Sequence, residues 1–141
     1  MKMLTLACLL LFPTFVQAVD FEKKVPLFAF GGVGFAGTTS QGEARFKEIL
    51  KGPDSLNEFE KWFESGSDEA RMYCLVAFYS LHRDQFDAAL KSDKWIGKKV
   101  SAAQGCIVFQ TPRSTIVETI KKGDYAIYVP AEKWENPPEK K

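Results

Sequence analysis

The chain is 141 residues long, with 19 Lys and Arg against 18 Asp and Glu, and 45% of it is hydrophobic. One domain of that size can bury roughly two-thirds of its unfolded surface, which excludes two-domain enzymes. Lys2 is the one charge among the first eighteen residues, so the remainder is balanced and offers no electrostatic case for binding nucleic acid or an anionic membrane.

The N-terminus reads as an export signal. Met1-Lys2 supplies the positive start, Leu4 to Val16 the apolar stretch, and Val16-Gln17-Ala18 the small residues of a cleavage site, so residues 1–18 are expected to be removed after Ala18. An uncleaved anchor needs about 18 or more apolar residues, and Pro13 interrupts this run. A lipid-bearing Cys8 leaves too short a stretch after Lys2 for a normal apolar region. The expected location is therefore the periplasm or the extracellular space. No membrane association is expected after cleavage, because the longest later apolar run, Met72 to Tyr79, is far too short to span a bilayer. Residues 19–39 are rich in aromatics and glycine and are expected to pack onto the domain that follows.

From Ser40 to Lys94 the chain predicts consecutive short helices. Ser40-Gln41-Gly42-Glu43 has capping-box spacing, Phe46, Ile49 and Leu50 form an apolar stripe, and Gly52-Pro53 stops the helix. Ser55-Leu56-Asn57-Glu58 repeats the box ahead of Phe59, Trp62 and Phe63. Ser67 is the expected cap of a third helix, with Asp68 and Glu69 in its first turn and His82 and Arg83 at its end. Met72 to Tyr79 leaves this helix no polar face, which predicts a central position enclosed by the others. A fourth helix is expected from Asp84, its cap, through Phe86, Ala89 and Leu90.

Beyond Trp95 the pattern changes. Val100 and Cys106-Ile107-Val108-Phe109 suit short extended pieces. Thr111-Pro112 is expected to open a last helix, with Pro at its first position and Ile116, Val117 and Ile120 facing inward before Gly123. Tyr125 to Val129 suggests one more short strand, and residues 131–141 a flexible charged tail. The predicted class is mainly α: a compact single-domain bundle of about five short helices spanning residues 40–130, with a small extended element near the C-terminus.

Signal cleavage removes Cys8 and leaves Cys74 and Cys106, an even count that suggests one disulfide in an exported chain. The bond would close a loop of about 33 residues and contribute on the order of 3 to 4 kcal/mol. The alternative is two buried thiols. No Cys-x-x-Cys unit is present to support redox exchange.

Few motifs point to chemistry. Gly32-Val33-Gly34-Phe35-Ala36-Gly37 matches the dinucleotide fingerprint G-x-G-x-x-G, but the next helix starts only near Ser40 and no strand with a terminal acid follows at the required distance. A turn or loop is the expected role. His82-Arg83-Asp84 matches a fragment of the protein-kinase catalytic loop, yet Ala89 stands where that loop needs Asn, and the other kinase motifs are missing. Ser40 lies near the nucleophile pattern G-x-S-x-G with Thr38 in place of the first Gly, and His82, the only histidine, is the one base it could use. One histidine cannot anchor a zinc set, no calcium-loop spacing occurs, and neither a metal nor a cofactor is expected.

Aromatic residues make up 13% of the chain, and Phe21, Phe28, Phe30 and Phe35 cluster before the first helix. Most are expected in the core; Phe28, Phe30, Phe35 and Trp62 are the candidates for a binding surface, since interfaces concentrate their energy in aromatics. The resulting expectation is an exported, non-catalytic helical domain that binds another protein as an adaptor or inhibitor-like module. Two alternatives stand beside it: a small secreted hydrolase using Ser40 and His82, and a carrier with an apolar ligand pocket.

Overall fold

The computed structural model describes residues 25–135; the expected signal peptide, residues 19–24 and residues 136–141 lie outside that range. Five helices dominate: α1 (Gln41–Lys51), α2 (Ser55–Ser65), α3 (Asp68–Leu81), α4 (Arg83–Leu90) and α5 (Arg113–Lys122). Two antiparallel strands, β1 (Lys99–Gln104) and β2 (Ile107–Pro112), form a hairpin between α4 and α5. The sheet therefore lies mid-chain rather than near the C-terminus.

α3 is the central helix, as its unbroken apolar middle requires. It touches the other four helices and β1. Twelve of its fourteen residues are buried, and Tyr73, Cys74 and Leu75 lose all contact with solvent. Ser67 caps it, accepting the Ala70 amide hydrogen at 3.3 Å. The acids of its first turn do more than complement the helix dipole. Asp68 accepts the backbone amides of Ile96 (3.1 Å) and Gly97 (2.7 Å) and pairs with the buried Arg71 at 2.9 Å. Glu69 accepts the Ser101 amide at 3.0 Å. The start of α3 thus holds the loop before β1 and the strand itself.

The N-terminal segment is tied to the same helix. The Tyr73 hydroxyl accepts the Ala29 amide hydrogen at 2.8 Å and lies 2.7 Å from the Ala29 carbonyl oxygen and 2.9 Å from Ser40 Oγ. Ser40 Oγ stands 2.8 Å from that same carbonyl and accepts the Glu43 amide, which caps α1. The second half of the expected capping box is diverted: the buried Glu43 carboxylate accepts the Gly31 amide at 2.9 Å and pairs with Lys47. Gly42 has no room for a side chain, because a Cβ there would stand 2.1 Å from the Tyr73 ring. Phe28 and Phe30 pack edge-on against each other at 5.7 Å, and both rings lie within about 5 Å of Tyr73.

Several boundaries depart from the sequence reading. Asp54, not Ser55, occupies the cap position of α2, and its side chain makes no capping bond. His82 occupies the junction of α3 and α4, so Asp84 is inside α4 rather than its cap. Pro112 ends β2 instead of opening α5; its fixed φ suits the last extended residue as well as the first helical one. The expected strand at Tyr125 to Val129 is a 3₁₀ turn, Ala126–Tyr128, closed by the bonds that Tyr128 donates to Tyr125 and Val129 to Ala126. Ala131 to Glu135, expected in a solvated tail, folds onto the bundle. Glu135 donates its amide to the Ser80 carbonyl at 3.1 Å, Trp134 its indole N–H to Val129 at 3.0 Å, and Lys133 its ammonium to Leu50.

Candidate binding surface

The residues proposed for hydrolysis do not meet. Ser40 is buried, and its hydroxyl is committed to Tyr73, Ala29 and Glu43. His82 follows the end of α3, nine residues beyond Tyr73, which separates it from the Ser40 contact by roughly 13 Å along the helix axis. Burial pushes the Tyr73 hydroxyl up to about 12, so it stays protonated and serves as a structural donor and acceptor. The glycine motif is a turn: Val33 and Thr38 bond to each other across Gly34 to Gly37, and Gly32, Gly34 and Gly37 take positive φ. The α1 N-terminus that follows holds the buried Glu43 carboxylate, which would repel a phosphate there.

The expected disulfide is not formed. Cys74 is a fully buried thiol in α3, pushed well above its ordinary range by burial, and Cys106 is an exposed thiol in the hairpin turn. The hairpin meets the core at the fully buried Val100 and then runs outward for five residues to Gly105, roughly 16 Å of extended chain, which carries Cys106 away from α3. Of the four aromatic surface candidates, Phe28 and Trp62 are buried and Phe30 is half-buried. Only Phe35, at the tip of the glycine loop, is fully exposed.

Of the exposed apolar side chains that sequence reasoning passed over, Ile96 and Ile127 stand singly and three adjacent ones lie on β2. Ile107 and Val108 are each 59% exposed and Phe109 is 50% exposed. Gly105, at φ +59°, is the first central residue of the two-residue turn between Gln104 and Ile107, the position where a hairpin of this type needs glycine. Val100, Ala102 and Gln104 face the same side as their partners Thr111, Phe109 and Ile107, and that side covers the core only at the Val100 end. Farther out it overhangs a cleft of about 350 Å³ lined by Phe28, Phe30, Phe109, Thr115, Ile116 and Tyr125. Burial pushes the Tyr125 hydroxyl up to about 12.

The hydrogen-bonding direction of each strand residue follows from the third chain segment beside the hairpin. Phe28 donates to the Ser101 carbonyl and accepts from the Ala103 amide, and Gly34 donates to Gly105, so the N-terminal segment occupies the outer edge of β1. Ser101 and Ala103 therefore point away from β2, and Val100, Ala102 and Gln104 point toward it. Their partners Thr111, Phe109 and Ile107 are the bonded residues of β2, consistent with the bond from Arg113 to Lys98 that continues the ladder. Val108 and Gln110 thus direct both backbone amide and carbonyl outward from the sheet. Among the described residues no backbone partner meets them, and no charged residue stands between Ile107 and Thr111.

No protein-family model matches the chain, and no curated protein or solved structure matches it either.

Proposed function

We propose that the chain is an exported, non-catalytic module that binds another polypeptide in the periplasm or outside the cell, and that it does so by receiving a strand on the outer edge of β2. The observation that carries this reading is the outward-directed pair Val108 and Gln110, set in a run of exposed apolar side chains without a charge. Proteins usually protect an edge of this kind with lysine, proline, a bulge or a covering loop, because free amides and carbonyls in an apolar setting pair with whatever strand they meet. Strand addition draws affinity from those backbone bonds and specificity from the side chains between them. The engagement of Ser40 within the fold supports a non-catalytic role over hydrolysis. The cleft beneath Phe109 supports a second reading, a carrier of a small apolar ligand, since its volume falls in the range of small-molecule sites.

The test compares immobilised native protein with its Val108→Lys variant, challenged with extract from the envelope or culture fluid of its source. Retention of a polypeptide by the native protein and its loss from an equally stable variant is the expected result. Equal retention by both, or by neither when the native protein is monomeric, contradicts the reading. The intact mass of this chain purified from its source tests export separately, through the loss of residues 1–18.

A further inference from the structure

We infer that the strand added to β2 is β2 of a second copy of this chain, the two running antiparallel about a two-fold axis beside Phe109. This rests on the edge-binding reading above and names its partner. In an antiparallel pair, residues that direct their amide and carbonyl toward the partner stand opposite one another. Placing Phe109 opposite its counterpart sets Val108 against Gln110 of the second copy and Gln110 against its Val108. Every outward amide then meets an outward carbonyl, giving four backbone bonds with no slip in register. Any other two-fold centre within Ile107–Thr111 moves one or both of these residues out of opposition.

The chemistry of the strand favours an identical partner. Ile107 to Thr111 carries no charge, so nothing repels a second copy along the paired run. In this register Arg113 falls opposite Gly105 of the other chain, and the two arginines stay apart. Pro112 is the next outward position and has no amide hydrogen, so the new ladder ends where the uncharged run ends. Phe109 and its counterpart form a non-hydrogen-bonded pair with Cα atoms about 4.5 Å apart, which brings the two half-exposed rings together. The N-terminal segment already fills the edge of β1. Pairing at β2 therefore consumes the hairpin's remaining edge, and the assembly closes at two copies instead of growing into a fibre.

Light scattering on the native protein across micromolar to millimolar concentration should give twice the monomer mass, and the Val108→Pro variant should give the monomer mass. That proline removes an outward amide hydrogen and none of the bonds to β1. Circular dichroism checks that the variant folds, and Val108→Lys serves as a second variant if it does not. With Cys106→Ser as background, Phe109→Cys should oxidise to a symmetric cross-linked dimer, whereas Val108→Cys should not, because only position 109 faces itself. A native protein that stays monomeric throughout overturns the second-copy inference, as does a dimer that survives both Val108 variants. If the native protein is monomeric but Val108→Lys still abolishes retention of another polypeptide, the edge reading stands and only its partner changes.

Discussion

The two halves of the molecule use the same polar groups in opposite ways. Around the start of α3, the hydroxyls of Ser40 and Tyr73 and the carboxylates of Glu43, Asp68 and Glu69 each engage a backbone group brought from a distant segment. On β2, the backbone groups of Val108 and Gln110 face outward among exposed apolar side chains. Burial accounts for the difference. An enclosed amide without a partner costs about 1–3 kcal/mol, so the core places side chains against the Ala29, Gly31, Ile96, Gly97 and Ser101 amides, while the indole Nε1 of Trp62 is the one buried side-chain polar atom among the described residues that it leaves without a partner. At the rim water satisfies the same groups, and they remain free to exchange it for another strand.

The sharpest way to break the enclosed half is Asp68→Ala. It strips the buried Arg71 of its carboxylate and leaves the Ile96 and Gly97 amides without an acceptor, and chemical denaturation should record a loss of about 3–5 kcal/mol. Next comes Gly42→Ala. In an ordinary helix interior this exchange stabilises by roughly 1 kcal/mol, but here the new methyl meets the Tyr73 ring and the Val25 side chain, so a net loss of about 1–3 kcal/mol is expected in the same assay.

Tyr73→Phe leaves the Ala29 amide unsatisfied and should cost about 1–3 kcal/mol. It also separates two sources of alkaline sensitivity. Burial raises both Tyr73 and Tyr125 from 10.0 to about 12, so the folded state favours the protonated phenols. Their contribution is fully present below pH 10.0 and is lost as pH rises toward about 12. Denaturant midpoints followed through that window should fall less steeply in Tyr73→Phe than in the native protein; parallel curves would remove Tyr73 from the account. The smallest stability effect belongs to the open half. Val108→Lys touches no buried group, and its melting curve should match the native one within about 0.5 kcal/mol when single copies are compared.

Much of the helical part was legible from sequence. Caps at Ser40 and Ser67, the stop at Gly52-Pro53 and the faceless run from Met72 to Tyr79 act locally, so they report the structure around them. The failures came where a tertiary partner decided the outcome. Glu43 left its capping box for the Gly31 amide, Tyr125 to Val129 closed on itself as a 3₁₀ turn, and Cys106 was carried off by a hairpin whose reach depends on pairing rather than on spacing. The aromatic candidates Phe28 and Trp62 pack on Tyr73 in the core, while the run on β2, expected only to be extended, is exposed. Gly105 followed by Ile107-Val108-Phe109 was the available signal for a hairpin. The edge became readable only once Phe28 was seen on β1, since that contact fixes which residues of β2 point outward.

Amide hydrogen exchange on the protein diluted to single copies tests that alternation directly. The account requires slow exchange at Ile107, Phe109 and Thr111 and fast exchange at Val108 and Gln110 between them. Uniform protection along β2, or the opposite alternation, would contradict it.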